Sequence, residues 1–227
     1  MKFSKTIMIF WAAALLPVAG AAAQAKLTAE QQKQAQGIYN EHQAMQIAMK
    51  AHQKCKGLDT LTFVAAAITA DLRKTALVQM NALTDSQVAN ARGAAQKEID
   101  AEKCDTLKAK PALKSYNERA IFYRDFYLYI WHEYMEVAAL QIIMGKGSLA
   151  ENKTGFGCGK HSYDQIRAIK PYTDKAHQAM KTKGQYKNAR AQAEEMIKNC
   201  QAKLPGVAAS PLMQMLEAAQ GELKKKS

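Results

Sequence analysis

The sequence predicts an all-α fold: a disulfide-stapled bundle of six or seven helices around one central, aromatic-rich helix. Three observations support this prediction. No segment shows the strict alternation of apolar and polar residues that is typical of a strand. Capping residues, glycines and prolines divide the chain into segments of helical length. The longest of these segments, residues 112–144, contains neither glycine nor proline.

The central helix is predicted over residues 112–144, and its large side chains point in every direction. Consecutive helical residues are 100° apart, which places Leu128, Ile130 and Trp131 on different faces. A helix that is apolar all round is usually surrounded by other helices. We therefore expect this helix to form the core. Its aromatic residues are Tyr116, Phe122, Tyr123, Phe126, Tyr127, Tyr129, Trp131 and Tyr134.

Start and stop signals predict the remaining helices. Thr28 and Gln31 form a capping box, and Leu83-Thr84 with Gln87 repeats that pattern. Ser210 precedes Pro211 at the start of a short last helix. The other predicted elements are helices over about 28–54, 60–80 and 84–104, a glycine-rich loop at 145–159, a helix bent or broken at Pro171, and a helix that ends near Cys200.

The N-terminal residues 1–25 are predicted to be a secretory signal peptide. Lys2 and Lys5 precede an apolar run over residues 7–19, and a small-x-small cleavage pattern follows within 21–25. A membrane anchor is the alternative, but the apolar run is short for a bilayer span. Charges interrupt every later apolar run, so no transmembrane helix is expected in the mature chain. We expect residues 26–227 to form a single domain that is periplasmic or secreted.

The chain has a formal net charge of +12, and its lysines are spread along the whole length. A dispersed distribution is typical of a solvated surface and argues against nucleic-acid binding. An exported protein rarely meets DNA. The charge therefore favours peripheral contact with an anionic membrane surface or with an acidic envelope partner.

The four cysteines predict two disulfides, for which three pairings exist: Cys55, Cys104, Cys158 and Cys200. The sequence favours Cys55–Cys104 and Cys158–Cys200, because each pair brackets a segment that resembles a helical hairpin. The two segments, 55–104 and 158–200, have similar lengths and suggest a degenerate repeat. A thiol catalyst would require Cys-x-x-Cys, which is absent.

Four polar residues lie on one narrow stripe of the central helix: Glu118, Asp125, His132 and Glu136. Imidazole and carboxylate groups inside a helical bundle can bind Zn²⁺ or iron, which makes Asp125, His132 and Glu136 candidate ligands. Acid–base catalysis is a further alternative. The simpler interpretation is structural, with Asp125 or Glu136 paired to a lysine or arginine of a neighbouring helix.

A second stripe lies on the first helix at spacings of 3, 4 and 3: His42, Met45, Met49 and His52. Thioether and imidazole groups suit copper in an exported protein. However, Ala35 and Ile38 continue the same face, and methionine commonly fills gaps in a core. The stripe therefore predicts core packing first and a metal site second.

The two Leu-Thr-x-x-Gln sequences, at Leu27–Gln31 and Leu83–Gln87, resemble the paired motifs of small, basic, helical periplasmic chaperones. This resemblance implies a chaperone-like function for an exported helical protein. Each motif also has a purely structural explanation as a helix start.

These observations favour an exported, helical binding or interaction protein with no identifiable catalytic motif. Its partner would be an unidentified protein or another envelope component, and no cofactor is implied. The alternatives are a chaperone-like protein with paired Leu-Thr-x-x-Gln helix starts, and a metal-binding protein or enzyme that uses the stripe of the central helix.

Overall fold

The structure, a computed structural model of the chain, describes residues 27–80, 82, 89, 93, 96–97, 99–143, 161–201 and 210–225. Nothing is described for the side chains of residues 141–143, 200 and 201. Over the described ranges the secondary structure is helical and contains no strand, which confirms the all-α class. The helices are α1 (Ala29–Cys55), α2 (Thr60–Gln79), α3 (Cys104–Ala109), α4 (Pro111–Ile143), α5 (Tyr163–Arg167), α6 (Lys170–Lys181), α7 (Tyr186–Gln201) and α8 (Pro211–Lys224).

These eight helices, together with the helical residues of the predicted segment 84–104, exceed the six or seven helices that the sequence predicts. The difference comes from two short helices: α3 has six residues and α5 has five. The predicted break near Pro171 separates α5 from α6, and Pro171 lies in the first turn of α6. Proline is tolerated there because the first turn needs no intrahelical N–H donor. Residues 96–97 and 99–101 are also helical, within the predicted segment 84–104.

Local signals set the helix boundaries. The Thr28 hydroxyl accepts from the backbone N–H of Gln31, and the Gln31 side chain accepts from the N–H of Thr28, as the capping box predicts. Ser210 caps α8 by accepting from the N–H of Met213. Helix α1 ends at Cys55, and its C-cap residue Lys56 adopts the left-handed conformation with φ 53°.

The long helix α4 packs against each of the other seven helices. Its side chains Leu128, Tyr129, Ile130 and Trp131 are 2% exposed or less, and they are consecutive, so this stretch is enclosed on all sides. The Trp131 indole N–H donates to the carbonyl of Leu212 at 2.7 Å, which ties α4 to the start of α8. The hydroxyl-bearing ring of Tyr129 is therefore held inside the protein.

A disulfide joins Cys55 to Cys104 and links the end of α1 to the start of α3, as predicted. Cys158 and the side chain of Cys200 lie outside the described residues, as do the glycine-rich loop 145–159 and the second Leu-Thr-x-x-Gln sequence. None of the helices described is both long enough and apolar enough to cross a membrane.

Candidate metal centre

Two histidines and one glutamate come together where α6 and α7 pack against α4. His132 and Glu133 are consecutive on α4, and His177 is on α6. Each side chain offers one ligand atom, and these three atoms all lie within 4.8 Å of one another. In the part of the chain that the structure describes, no other group of three or more His, Cys, Asp or Glu side chains has this spacing.

The two imidazole rings of this cluster are in contact. The ring centroids of His132 and His177 are 4.2 Å apart, and the ring of Tyr129 meets His177 edge-on at 5.1 Å. Burial lowers the pKa of His132, and the neighbouring His177 lowers that pKa further. Protonation of both rings at this distance would be opposed by repulsion between their positive charges. A neutral imidazole keeps a lone pair on one ring nitrogen, which is the form that binds a metal.

Glu133 is the most deeply buried member of the cluster, with 2% of its side chain exposed. One carboxylate oxygen lies 4.0 Å from Nδ1 of His177, and the other lies 3.6 Å from Nη1 of Arg190 on α7. Burial raises the pKa of Glu133, and the positive charge of Arg190 acts in the opposite direction. A buried carboxylate is stable only when positive charge lies close to it. Here the guanidinium of Arg190 supplies that charge from 3.6 Å.

Tyr129 supplies a neutral hydroxyl to the same region. Its side chain is fully buried, one helical turn before Glu133. Burial raises the pKa of Tyr129 to about 12, and the negative charge of Glu133 contributes to this rise. The phenol therefore stays protonated at neutral pH and can act only as a neutral donor or acceptor.

A carboxylate of α6 lies close to His132. Oδ1 of Asp174 lies 3.6 Å from Nδ1 of His132, and Nζ of Lys170 donates to both oxygens of Asp174 at 2.8 Å. Carboxylates that face the second nitrogen of a ligating imidazole hold its ring orientation in metal proteins. Asp174 is in a suitable place for this role.

Only one residue of the predicted acidic stripe belongs to this cluster, and that residue is His132. Glu118 and Glu136 are exposed. Asp125 is 8% exposed and lies two turns from His132 along α4. The four residues of the stripe therefore differ in exposure and do not form one site.

Asp125 has a partner of its own. It accepts from Arg124 at 2.8 and 2.7 Å, and Nη1 of Arg124 reaches Asp59, the N-cap of α2, at 2.9 Å. The ion-pair partner of Asp125 is thus the adjacent residue Arg124 on the same helix. Arg124 in turn contacts Asp59 at the start of α2. These contacts explain a buried Asp125 without a ligand.

The second predicted stripe lies on a mostly buried side of α1: His42, Met45, Met49 and His52. Nδ1 of His42 lies 2.8 Å from the carbonyl of Ala70, and Met45 is completely buried. Nδ1 of His52 accepts from the backbone N–H of Leu58 at 2.9 Å. These contacts are those of a packing face, and they already occupy one nitrogen of each imidazole.

Glu133, His177 and Arg190 were not predicted from the sequence. The pair His132-Glu133 is visible there, but the residues after it do not complete a His-Glu-x-x-His motif. His177 is 45 positions after His132, and no local pattern connects the two. Only the packing of α6 and α7 on α4 brings these side chains together.

The first Leu-Thr-x-x-Gln sequence has a structural use in addition to the capping box. Leu27 packs beside the buried residues Ala35 and Leu77, so it closes the contact between the start of α1 and the end of α2. A hydrophobic residue just before an N-cap commonly fixes the direction in which the chain enters a helix. The motif is therefore accounted for by local structure.

Comparison with known proteins finds no match for this chain among protein families, among curated proteins or among solved structures.

Proposed function

We propose that this protein is an exported, all-α binding protein whose ligand is a divalent transition metal of the Zn²⁺ class. The observation that carries the proposal is the convergence of one ligand atom each from His132, Glu133 and His177 within 4.8 Å. The proposal keeps the predicted metal alternative on the central helix, with Glu133 and His177 as ligands in place of Asp125 and Glu136.

The donor set suits zinc. Two imidazole nitrogens and one carboxylate oxygen form a recurring three-residue zinc set, with bonds of about 2.0–2.1 Å. Tetrahedral bonds of that length place the donors about 3.3 Å apart, so modest side-chain rotations would close the cluster on the ion. Cu²⁺ and Fe²⁺ accept similar donors, which makes the metal class broader than zinc alone.

The charge balance also supports a bound cation. Glu133 is almost completely buried, and its present partners are Arg190 at 3.6 Å and His177 at 4.0 Å. Both distances exceed those of ordinary hydrogen bonds. A buried carboxylate whose ion-pair contacts are this long gains more from a directly bound divalent ion than a carboxylate in a close ion pair would.

Export remains part of the proposal. The disulfide between Cys55 and Cys104 supports it, because such bonds persist in oxidising compartments. We propose that residues 1–25 are removed as a signal peptide, that residues 26–227 form one domain organised around α4, and that the hairpin units 55–104 and 158–200 are a degenerate repeat.

Equilibrium dialysis of the purified protein against Zn²⁺, followed by elemental analysis, tests metal binding. We expect one equivalent per chain, lost in His177→Ala and in Glu133→Gln. His52→Ala is the matched control, since His52 is a part-buried histidine of the other predicted stripe, and it should retain the full equivalent. Retention of the full equivalent of zinc in His177→Ala, or loss in His52→Ala alone, would overturn the assignment of the site.

The second candidate function is interaction with a protein or another envelope component. The chaperone-like function that the Leu-Thr-x-x-Gln resemblance implies is one form of it. The formal net charge of +12 favours an acidic partner or an anionic surface for such an interaction. Suppression of aggregation of an unfolded client by the metal-free protein, lost on substitution of Leu27, would support this function. Retention on anionic vesicles would instead support contact with a membrane surface.

A further inference from the structure

An open pocket of about 420 Å³ lies in front of the two histidines of the cluster. It is formed by His132 of α4 and by side chains of α6: Lys170, Asp174, Lys175, His177 and Gln178. Glu133 does not line it and is 2% exposed. The cluster therefore has a buried side, occupied by Glu133, and an accessible side, where both imidazoles meet solvent.

Within the described residues, the cluster offers too few ligands to enclose a tetrahedral ion. Among the described residues it contains three ligand groups, whereas zinc in a closed structural site has four. Sites with three protein ligands keep a position for water or for an added ligand. Because two of the three ligands line the pocket, the remaining position of an ion held by them would open towards the pocket.

The pocket carries positive charge of its own. The ammonium of Lys170 is held by Asp174, with both Nζ–O distances at 2.8 Å. Lys175 is exposed and makes no ion pair with a described residue, and Gln178 adds an exposed amide on the same helix. A divalent ion next to an uncompensated ammonium attracts negatively charged ligands.

We propose that the metal-loaded protein binds a small oxyanion in this pocket, with an anionic oxygen at the open metal position and Lys175 as a second contact. The shared chemistry is that of carboxylates and phosphate monoesters, both of which present oxygen donors to a divalent ion and to an ammonium. This inference rests on the metal site proposed above. It adds a class of ligand and a residue, Lys175, that is not itself a metal ligand.

Cobalt substitution provides the test, because the visible spectrum of Co²⁺ reports its coordination. The protein is loaded with one equivalent of Co²⁺ and titrated separately with acetate and with methyl phosphate. We expect a saturable spectral change with at least one of them, and the stronger response identifies the preferred source of the oxyanion. In Lys175→Gln the dissociation constant should rise about three- to tenfold, as expected for loss of one nearby charge.

Lys181→Gln is the matched control. Lys181 is an exposed lysine of the same helix that does not line the pocket, so this variant should titrate like the parent. An equal loss in both variants would show that only overall charge matters and would overturn the role of Lys175. Bound Co²⁺ whose spectrum ignores both anions would overturn the open position while leaving metal binding intact. Absence of Co²⁺ binding would overturn the metal site and this inference together.

Discussion

One carboxylate oxygen of Glu133 lies 3.6 Å from the guanidinium nitrogen Nη1 of Arg190, and only 2% of the Glu133 side chain is exposed. The two residues are 57 positions apart and belong to α4 and α7. Nε of Arg190 also donates to Glu194 at 2.8 Å, which holds the guanidinium in place. In the metal-free protein, Arg190 is thus a main source of positive charge for a buried carboxylate.

Removal of that charge should destabilise the fold. Arg190→Met keeps the aliphatic part of the side chain but leaves Glu133 with His177 as its remaining partner, and we expect a loss of about 2 kcal/mol in the free energy of unfolding. Glu133→Gln in the same background should recover part of the loss, because the uncompensated charge is gone. Urea denaturation of the two single variants and the double variant measures the coupling. Additive effects would show that the two residues do not interact.

The N-cap of α2 should make stability depend on acid pH. Burial alone would raise the pKa of Asp59, but hydrogen bonds from Thr62 and the charge of Arg124 outweigh it and hold that pKa below its usual value. The ionised form is therefore favoured in the folded state. Ionised Asp59 therefore contributes to the free energy of unfolding above its unfolded pKa of about 4. This contribution is lost as the pH falls towards the lower pKa of the folded state.

Denaturant unfolding between pH 7 and pH 2.5 checks this prediction. The parent should lose stability across the acid range, and Asp59→Asn should show a smaller slope, since asparagine can cap the helix but does not titrate. Asp59→Ala should in addition cost about 1 kcal/mol at pH 7 through loss of the cap. An Asp59→Asn variant with the slope of the parent would exclude Asp59 as a source of the acid sensitivity.

Lys54 should contribute to stability through three backbone carbonyls. Its ammonium donates to the carbonyls of Ile99 and Asp100 at 2.9 Å each, and also to that of Glu102, so it caps the helical segment that precedes α3. Cations suit the carbonyl end of a helix. Lys54→Met should lower the free energy of unfolding by about 1–2 kcal/mol. Lys33→Met, at an exposed lysine of the same helix, should change it by less than about 0.5 kcal/mol.

The disulfide next to Lys54 closes a long loop. Cys55 and Cys104 are 49 positions apart, and their replacement by serine should cost about 4 kcal/mol in the chain-entropy description. Peptide mapping without reduction should recover this pair together with the predicted Cys158–Cys200 pair. Recovery of Cys158 as a free thiol would remove the second bridge, and with it the support for a repeat over 158–200.

Local patterns were sufficient for much of the fold. Thr28 with Gln31, Asp59 and Ser210 before Pro211 mark helix starts because each side chain caps the backbone of its own next turn. The absence of glycine and proline over 112–144 similarly predicts the long helix α4. These are interactions between residues close in sequence, and sequence order alone makes them visible.

The candidate site could be predicted only in part. The sequence predicts His132 as a candidate because it is a polar residue on a long apolar helix. It does not predict Glu133, because the helical period alone does not show which of two adjacent residues faces a neighbouring helix. His177 and Arg190 lie on amphipathic helices whose packing partner the sequence does not specify, so the three-dimensional contact with α4 was needed to bring them into the site.

If His132, Glu133 and His177 ligate one metal ion, X-ray absorption spectroscopy of the zinc-loaded protein should detect all three. We expect only nitrogen and oxygen around the zinc, at about 2.0–2.1 Å, with the multiple scattering of two imidazoles. In His177→Ala any residual bound zinc should show one imidazole. Sulfur in the first shell, or two imidazoles retained in His177→Ala, would contradict the assignment.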